Sequence, residues 1–235
     1  MKLLQIDGKD YLFYKSVPLD ICFIRGTYAD EAGNVTMVKE GLHGDQLEMA
    51  MATRNSGGIV IVQVEKVVQK GCLPVKDIKI PSFMVDYIVE AKPENHCQSF
   101  MSPDYRPELT GEIYIPMDAI EPMPLNPRKI CGRRGAMLLK KGAVVNLGIG
   151  VAEAIAAVAG EEGVSDQIML SIESGVLGGV PTGGMGIGGT VNPESIMKQP
   201  DTFDFYDGGG LDMAFLGLAE VDEKGNVNAV SYTHL

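Results

Sequence analysis

The chain has no C-x-x-C pair, no G-K-[ST] tripeptide, no apolar run of membrane-spanning length and no surplus of basic residues. Each absence removes a class. The four cysteines, Cys22, Cys72, Cys97 and Cys131, are scattered, which argues against a zinc site or a disulfide framework and for a reduced, cytoplasmic setting. Without some 20 consecutive apolar residues no membrane-spanning helix is expected. No basic segment followed by an apolar one suggests a secretory leader. The 20 Lys and Arg face 31 Asp and Glu, a formal net charge of −11. Nucleic-acid binding needs a basic face, so that class is set aside. A phosphorylated ligand is not, since a few N–H groups and one or two Arg can hold it. His43 and His96 have no neighbours that would suggest a triad, and His96-Cys97 alone is poor evidence for a nucleophile.

What is present is glycine, gathered behind one carboxylate. In I-M-L-S-I-E-S-G-V-L-G-G-V-P-T-G-G-M-G-I-G-G, eight of the fifteen residues from Gly175 to Gly189 are glycine. A carboxylate at the end of a buried strand is costly to desolvate unless it is paired. The residues after Glu173 offer exposed N–H groups and room for a ligand. Glu173 is therefore the candidate reactive carboxylate, and a solvated Glu capping an ordinary loop is the alternative. No Lys occurs from Ser174 to Met197, so the loop is not a P-loop.

Gly148 and Gly150 form a G-x-G between an expected strand, A-V-V-N-L, and an expected helix, A-E-A-I-A-A-V-A. That context suits a phosphate at a helix N-terminus. Glu153 stands where a dinucleotide fingerprint has Gly or Ala, so a bare strand-to-helix turn stays open and an NAD-binding oxidoreductase is disfavoured. Y-D-G-G-G-L-D, Tyr206 to Asp212, is a second backbone-exposing turn, structural or ligand-binding. Arg133 and Arg134, at the expected start of the helix G-R-R-G-A-M-L-L-K-K, either bind phosphate or face solvent. The methionines read as core filler.

Two segments repeat. L-D-I-C-F-I-R-G-T-Y-A-D-E-A-G-N-V (Leu19 to Val35) and L-D-M-A-F-L-G-L-A-E-V-D-E-K-G-N-V (Leu211 to Val227) agree at eight of seventeen positions, at a constant offset of 192. Each is a strand, an acidic segment and a Gly-Asn turn, which predicts two related domains. Seven of the thirteen prolines fall from Pro93 to Pro127, read as an interdomain connection. The expected division is a first domain over 1–92, a connection over 93–127 and a second domain over 128–230. Helix and strand alternate in the second, predicting an α/β fold with mostly parallel sheets. Gln46 to Arg54 reads as a helix; Ile59 to Val64, Phe83 to Val89 and I-M-L-S-I read as strands. Shifted back by 192, the glycine loop would fall before residue 1, so both domains are expected to be truncated.

S-I-E-S-G-V-L-G-G-V-P-T-G-G resembles the active-site segment of family I coenzyme A transferases, in the propionate/acetate branch. F-I-R-G-T-Y-A-D-E-A-G-N-V-T, G-G-I-V-I-V-Q-V-E, N-L-G-I-G-V and F-D-F-Y-D-G-G-G-L-D-M-A-F-L-G-L-A-E-V-D-E-K-G-N-V-N resemble it too, over about Leu4 to Asn228. The resemblance implies two related open α/β domains and maps the catalytic Glu onto Glu173. It implies ping-pong exchange of CoA between short-chain acyl-CoA and free carboxylates such as acetate, through a glutamyl-CoA thioester. Coenzyme A is then substrate and covalent intermediate, with no permanent cofactor and no metal. Gly148, Gly150, Gly178 and Gly179 are the expected contacts to it, the last two as oxyanion donors. A homo-oligomer is expected of the complete enzyme, with neither nucleic acid nor membrane as partner. The family's early glycine-rich signature is absent, and Ser231 to Leu235 depart from it, so 231–235 is expected to be a non-native tail. A noncatalytic domain sensing a nucleotide or sugar phosphate is the alternative function.

Overall fold

The computed structural model describes residues 1–98, 104–116, 119–148, 150–183, 186 and 188–228; the expected tail, 231–235, lies outside them. The chain divides into two compact units, one of residues 1–36 and 46–90, the other of 37–45 and 91–235.

In the first unit, β1 (Lys2–Ile6) and β2 (Lys9–Phe13) form a hairpin about Asp7-Gly8. β3 (Ile21–Arg25) runs into the hairpin β4 (Tyr28–Asp30) and β5 (Val35–Thr36). Then come α1 (Gln46–Asn55), β6 (Ile59–Val64), β7 (Lys66–Val68), β8 (Ile78–Ile80) and β9 (Tyr87–Glu90). β3, β6 and β9 form a parallel sheet. Alternation along the strands puts Cys22, Ile24, Val60, Val62 and Val64 in a core with Ala50 of α1. The opposite face, with Ile21, Phe23 and Tyr87, is exposed. Phe83 to Val89 is not one strand: a 3₁₀ turn occupies Ser82–Met84, and only Tyr87–Glu90 pairs. The Val85 N–H is spent on the Ser82 carbonyl. The Asp86 carboxylate is drawn aside to Arg54 (2.6 Å) and the Val60 N–H (2.8 Å).

The second unit runs α2 (Pro127–Ala136), β10 (Val144–Leu147), α3 (Glu153–Glu161), β11 (Met169–Ser171), β12 (Val176–Leu177), β13 (Val180–Pro181), β14 (Thr190–Val191), β15 (Ser195–Ile196), α4 (Gln199–Phe205), β16 (Met213–Phe215), β17 (Glu220–Val221) and β18 (Val227–Asn228). Its sheet has the order β15-β12-β11-β10-β16, with β10 parallel to both β11 and β16. Asn126 caps α2 by accepting from the Lys129 N–H (3.0 Å), and Pro127 follows at the first helical position. Gly132 lets α3 approach α2 closely, since a Cβ there would lie 2.6 Å from the Ala154 carbonyl oxygen. Val145, Leu147 and Leu170 of the sheet pack in one core with Ile155 and Ala156 of α3.

Asn146 and Ser171, paired in register on β10 and β11, are both buried. Their polar groups are met from a π-helical turn over Tyr206–Gly210. The Asn146 amide donates to the Tyr206 hydroxyl (3.3 Å) and to the Ser171 carbonyl (3.3 Å). The Ser171 hydroxyl lies 3.3 Å from the Val145 carbonyl and shares a 2.7 Å hydrogen bond with the Tyr206 hydroxyl, in which either oxygen can donate. Y-D-G-G-G is thus tied to the sheet by its tyrosine.

Residues 37–45, placed by the sequence in the first domain, group with the second unit. The Gly44 carbonyl accepts from the Gln199 N–H (3.3 Å), and the Lys39 carbonyl from the Gln98 amide (2.9 Å). The described part of the proline-rich stretch also groups there, with Leu109 buried and Ile115 bonded through both backbone groups to the Asn192 side chain.

The sequence repeat has a structural counterpart. Asp30 accepts from the Ala32 and Asn34 N–H groups (3.0 and 2.9 Å) and the Asn34 amide (3.1 Å). Asp222 accepts from Lys224, Asn226 and the Asn226 amide in the same pattern (2.9, 2.8 and 2.7 Å). The strand before each turn, β3 or β16, lies parallel to a neighbour.

Candidate active site

β11 ends at Ser171, and the chain reverses at once. The Gly175 N–H bonds the Ile172 carbonyl (2.9 Å) and the Ile172 N–H bonds the Val176 carbonyl (2.9 Å), leaving Glu173 and Ser174 at the two corners of a tight turn. Corner residues take no part in the sheet ladder, so their side chains and N–H groups are available. Gly175 must be glycine: φ is 105°, and a Cβ would lie 2.1 Å from the Met197 carbonyl oxygen. That fit lets β12 and β15 close behind the turn.

Glu173 is half-buried, and among the described residues its carboxylate has no hydrogen bond or ion pair. It lines a pocket of about 180 Å³ with Leu147, Glu153, Ser174, Thr182 and Gln199 among its other walls. These come from the end of β10, the first residue of α3, the β11–β12 turn, the loop after β13 and the start of α4. The pocket sits beyond the carboxyl ends of β10 and β11. Open α/β folds bind ligands outside the carboxyl ends of their parallel strands, and β10 and β11 are such a pair.

The remaining sequence candidates divide. Gly148 donates to the Phe215 carbonyl (2.8 Å) and extends the sheet, while Gly150 turns the chain at φ 95°. Both lie between Leu147 and Glu153, which line the pocket. The anion at the start of α3 is the protein's own: Glu153 is its first residue, with the Arg128 guanidinium 3.8 Å away. Gly178 and Gly179 are not brought to Glu173. They line a separate pocket of about 90 Å³ beside Asn192 and Glu194, and the Gly178 N–H is spent on the Leu170 carbonyl (2.8 Å). By contrast, the N–H groups of Ser174 and Gly188, both on the Glu173 pocket, donate to no backbone carbonyl among the described residues. The Ser174 hydroxyl ties turn to loop through the Gly188 carbonyl (3.3 Å). Arg133 and Arg134 are in the last turn of α2 rather than its first, because Asn126 starts the helix earlier; Arg133 pairs with Glu162 (3.2 Å).

Sequence reading missed Glu153, Thr182 and Gln199 as pocket residues. For Glu153 a signal existed, since it follows a turn at the carboxyl end of a parallel strand. Among the described residues no cluster of three His, Cys, Asp or Glu could hold a metal ion, and no helix is long and apolar enough to cross a membrane.

Residues 1–91 match the coenzyme A transferase family model. Caffeate CoA-transferase of Acetobacterium woodii is 44% identical over 233 residues, covering 99% of this chain and 44% of that protein. Acetate CoA-transferase YdiF of Escherichia coli O157:H7 is 40% identical over 227 residues, covering 97% and 42%. The chain belongs to the coenzyme A transferase family. Its fold agrees: the crystal structure of acyl-CoA transferase YdiF from E. coli O157:H7, as a thioester complex with CoA, superposes with a TM-score of 0.87 at 38% identity, covering 98% of this chain and 42% of that one. The chain therefore spans less than half the length of these relatives.

Proposed function

We propose that the complete gene product exchanges CoA between short-chain acyl-CoA thioesters and free carboxylates, with Glu173 as the covalent carrier. The observation that carries this reading is the placement of Glu173: a carboxylate with no partner among the described residues, at the corner of a tight turn, lining a pocket at the carboxyl ends of two parallel strands.

A Glu173 oxygen attacks the thioester carbonyl, the C–S bond breaks and CoA leaves as the thiolate, giving an acyl–glutamyl anhydride. The thiolate then attacks the glutamyl carbonyl, and the anhydride C–O bond breaks to release the free acid as its carboxylate. A second acid reverses both steps and departs as the new thioester. No net redox change or proton transfer is needed. Each addition places negative charge on a carbonyl oxygen, and the Ser174 and Gly188 N–H groups are the donors we assign to it. Losing one such donor typically slows a reaction by about 10²–10³-fold. At about 180 Å³ the pocket is smaller than the roughly 300–1,000 Å³ of drug-sized ligand sites, which suits a short acyl group with the body of CoA outside. Family and scattered cysteines fit a cytoplasmic enzyme, and a homo-oligomer is the common form of soluble assemblies.

The test is to incubate the complete gene product with acetyl-CoA, digest it and weigh the peptides. A CoA adduct on the peptide containing Glu173, absent in Glu173→Ala together with acyl exchange, is expected. Exchange that persists in Glu173→Ala would refute the assignment. Tight CoA binding without exchange would favour a sensing domain.

A further inference from the structure

We infer that Glu153 restricts the acyl group to monocarboxylic acids that carry no second negative charge. The inference rests on the transferase reading of the Glu173 pocket and names its substrate class.

Two carboxylates line this pocket, and they differ in what the reaction does to them. The charge of Glu173 disappears in the anhydride and again in the thioester, so it cannot discriminate between acyl groups at those stages. Glu153 reacts with nothing and keeps its charge throughout. Its side chain is only 19% exposed, and its Oε2 faces the loop after β13, where a Cβ on Gly183 would stand 3.1 Å away. Glycine at 183 crowds that oxygen with no side chain, and Glu153 itself lines the pocket.

The neighbouring cation does not cancel the charge. Arg128 lies 3.8 Å from Glu153 Oε2, a long contact, and its side chain is 53% exposed and therefore strongly screened by water. The N-terminus of α3 favours a carboxylate at its first residue, which helps to hold Glu153 in place. A pocket of about 180 Å³ is equivalent to a sphere roughly 7 Å across, so the far end of a bound acyl chain stays within about 7 Å of Glu153. A methyl terminus meets no penalty there. A second carboxylate meets a like charge, which at roughly 7 Å in a partly solvated site corresponds to about a tenfold preference.

The experiment compares butyryl-CoA with succinyl-CoA as sole donor to the complete gene product, and follows the rate at which the Glu173 peptide gains the mass of CoA. The wild type is expected to react faster with butyryl-CoA. Glu153→Gln should lower the butyryl/succinyl rate ratio by about tenfold, Glu153→Asp should keep it, and Arg128→Gln should raise it. Because each ratio is taken within one variant, a loss of folded protein cancels. An unchanged ratio in Glu153→Gln, or an equal fall in Glu153→Asp, would overturn the inference while leaving Glu173 as the carrier. No adduct from either thioester in the wild type would defeat the transferase reading and this inference with it.

Discussion

Removing the Tyr206 hydroxyl tests the polar network beneath the sheet. Tyr206→Phe deletes one oxygen that accepts from Asn146 and is bonded to the Ser171 hydroxyl. Ser171 keeps its bond to the Val145 carbonyl and Asn146 keeps the one to the Ser171 carbonyl, so one Asn146 N–H and one Ser171 lone pair are orphaned. Asn146 is 3% exposed and Ser171 is 1% exposed, so water does not readily replace the lost partner. An unsatisfied buried group costs about 1–3 kcal/mol, and the N–H should dominate, so roughly 2 kcal/mol is expected. With a urea m-value of about 2–3 kcal/mol/M, the midpoint should fall by about 0.7–1 M. The transition should be followed by hydrogen exchange of peptides from β10 and β11, so that the second unit is read by itself. Adding Asn146→Leu removes the orphaned donor, so the double variant should lose less than the sum of the two singles, with a coupling of about 1 kcal/mol. Additive losses, or a Tyr206→Phe loss below about 0.5 kcal/mol, would refute this accounting.

Gly175→Ala should be more damaging: a left-handed backbone costs an alanine about 1–2 kcal/mol, and the contact with the Met197 carbonyl adds about 1–3 kcal/mol. A loss of about 2–5 kcal/mol in denaturant melts is expected, with at least a tenfold slower Glu173 adduct, and an unperturbed adduct rate would contradict the turn's role. Acid should destabilise the fold through Asp30 and Glu161. Burial is the largest influence on each and pushes upward, but it is outweighed: for Asp30 by hydrogen bonds from Asn34, Gly71 and Ala32, for Glu161 by Lys129 and the Met123 N–H. Folded values below the unfolded ones, about 3.9 for Asp and 4.3 for Glu, mean that their contribution is present above those values and is lost as pH falls through the depressed ones. The urea midpoint should therefore drop below about pH 4, less steeply in Asp30→Asn.

The elements that could be read from sequence are those whose signal is local. Ile59–Val64 is a strand as expected, because a β-branched run of that length has one way to be buried in a parallel sheet. A-V-V-N-L, A-E-A-I-A-A-V-A and I-M-L-S-I likewise became β10, α3 and β11 to within a residue or two. Asp7-Gly8 carried a hairpin signal that went unread. The site was partly visible, since S-G after a strand-terminal Glu marks a turn. Glu153 carried a signal that went unread, and Thr182 and Gln199 carried none, because they meet Glu173 only through packing. Nor does composition reveal which glycine N–H groups the fold consumes. Gly178 and Gly188 look alike in the loop, yet the first is bonded to Leu170. Tyr206 reaches Ser171 across 35 residues, and only the register of β10 with β11 gives that contact its purpose.

The duplicated Asp turn makes the molecule its own control. Asp30 is 2% exposed, whereas Asp222 is exposed; three equivalent donors hold each, with a further backbone N–H from Gly71 (3.4 Å) at Asp30 and from Gly225 at Asp222. Both carboxyls are held below the ordinary value: Asp222 chiefly by the Asn226 side chain, Asp30 by its donors acting against burial. Titrating both by NMR in one tube would subtract out the hydrogen bonds and leave the solvent. What usually takes two proteins and an assumption about their likeness could be measured here as a difference along one polypeptide.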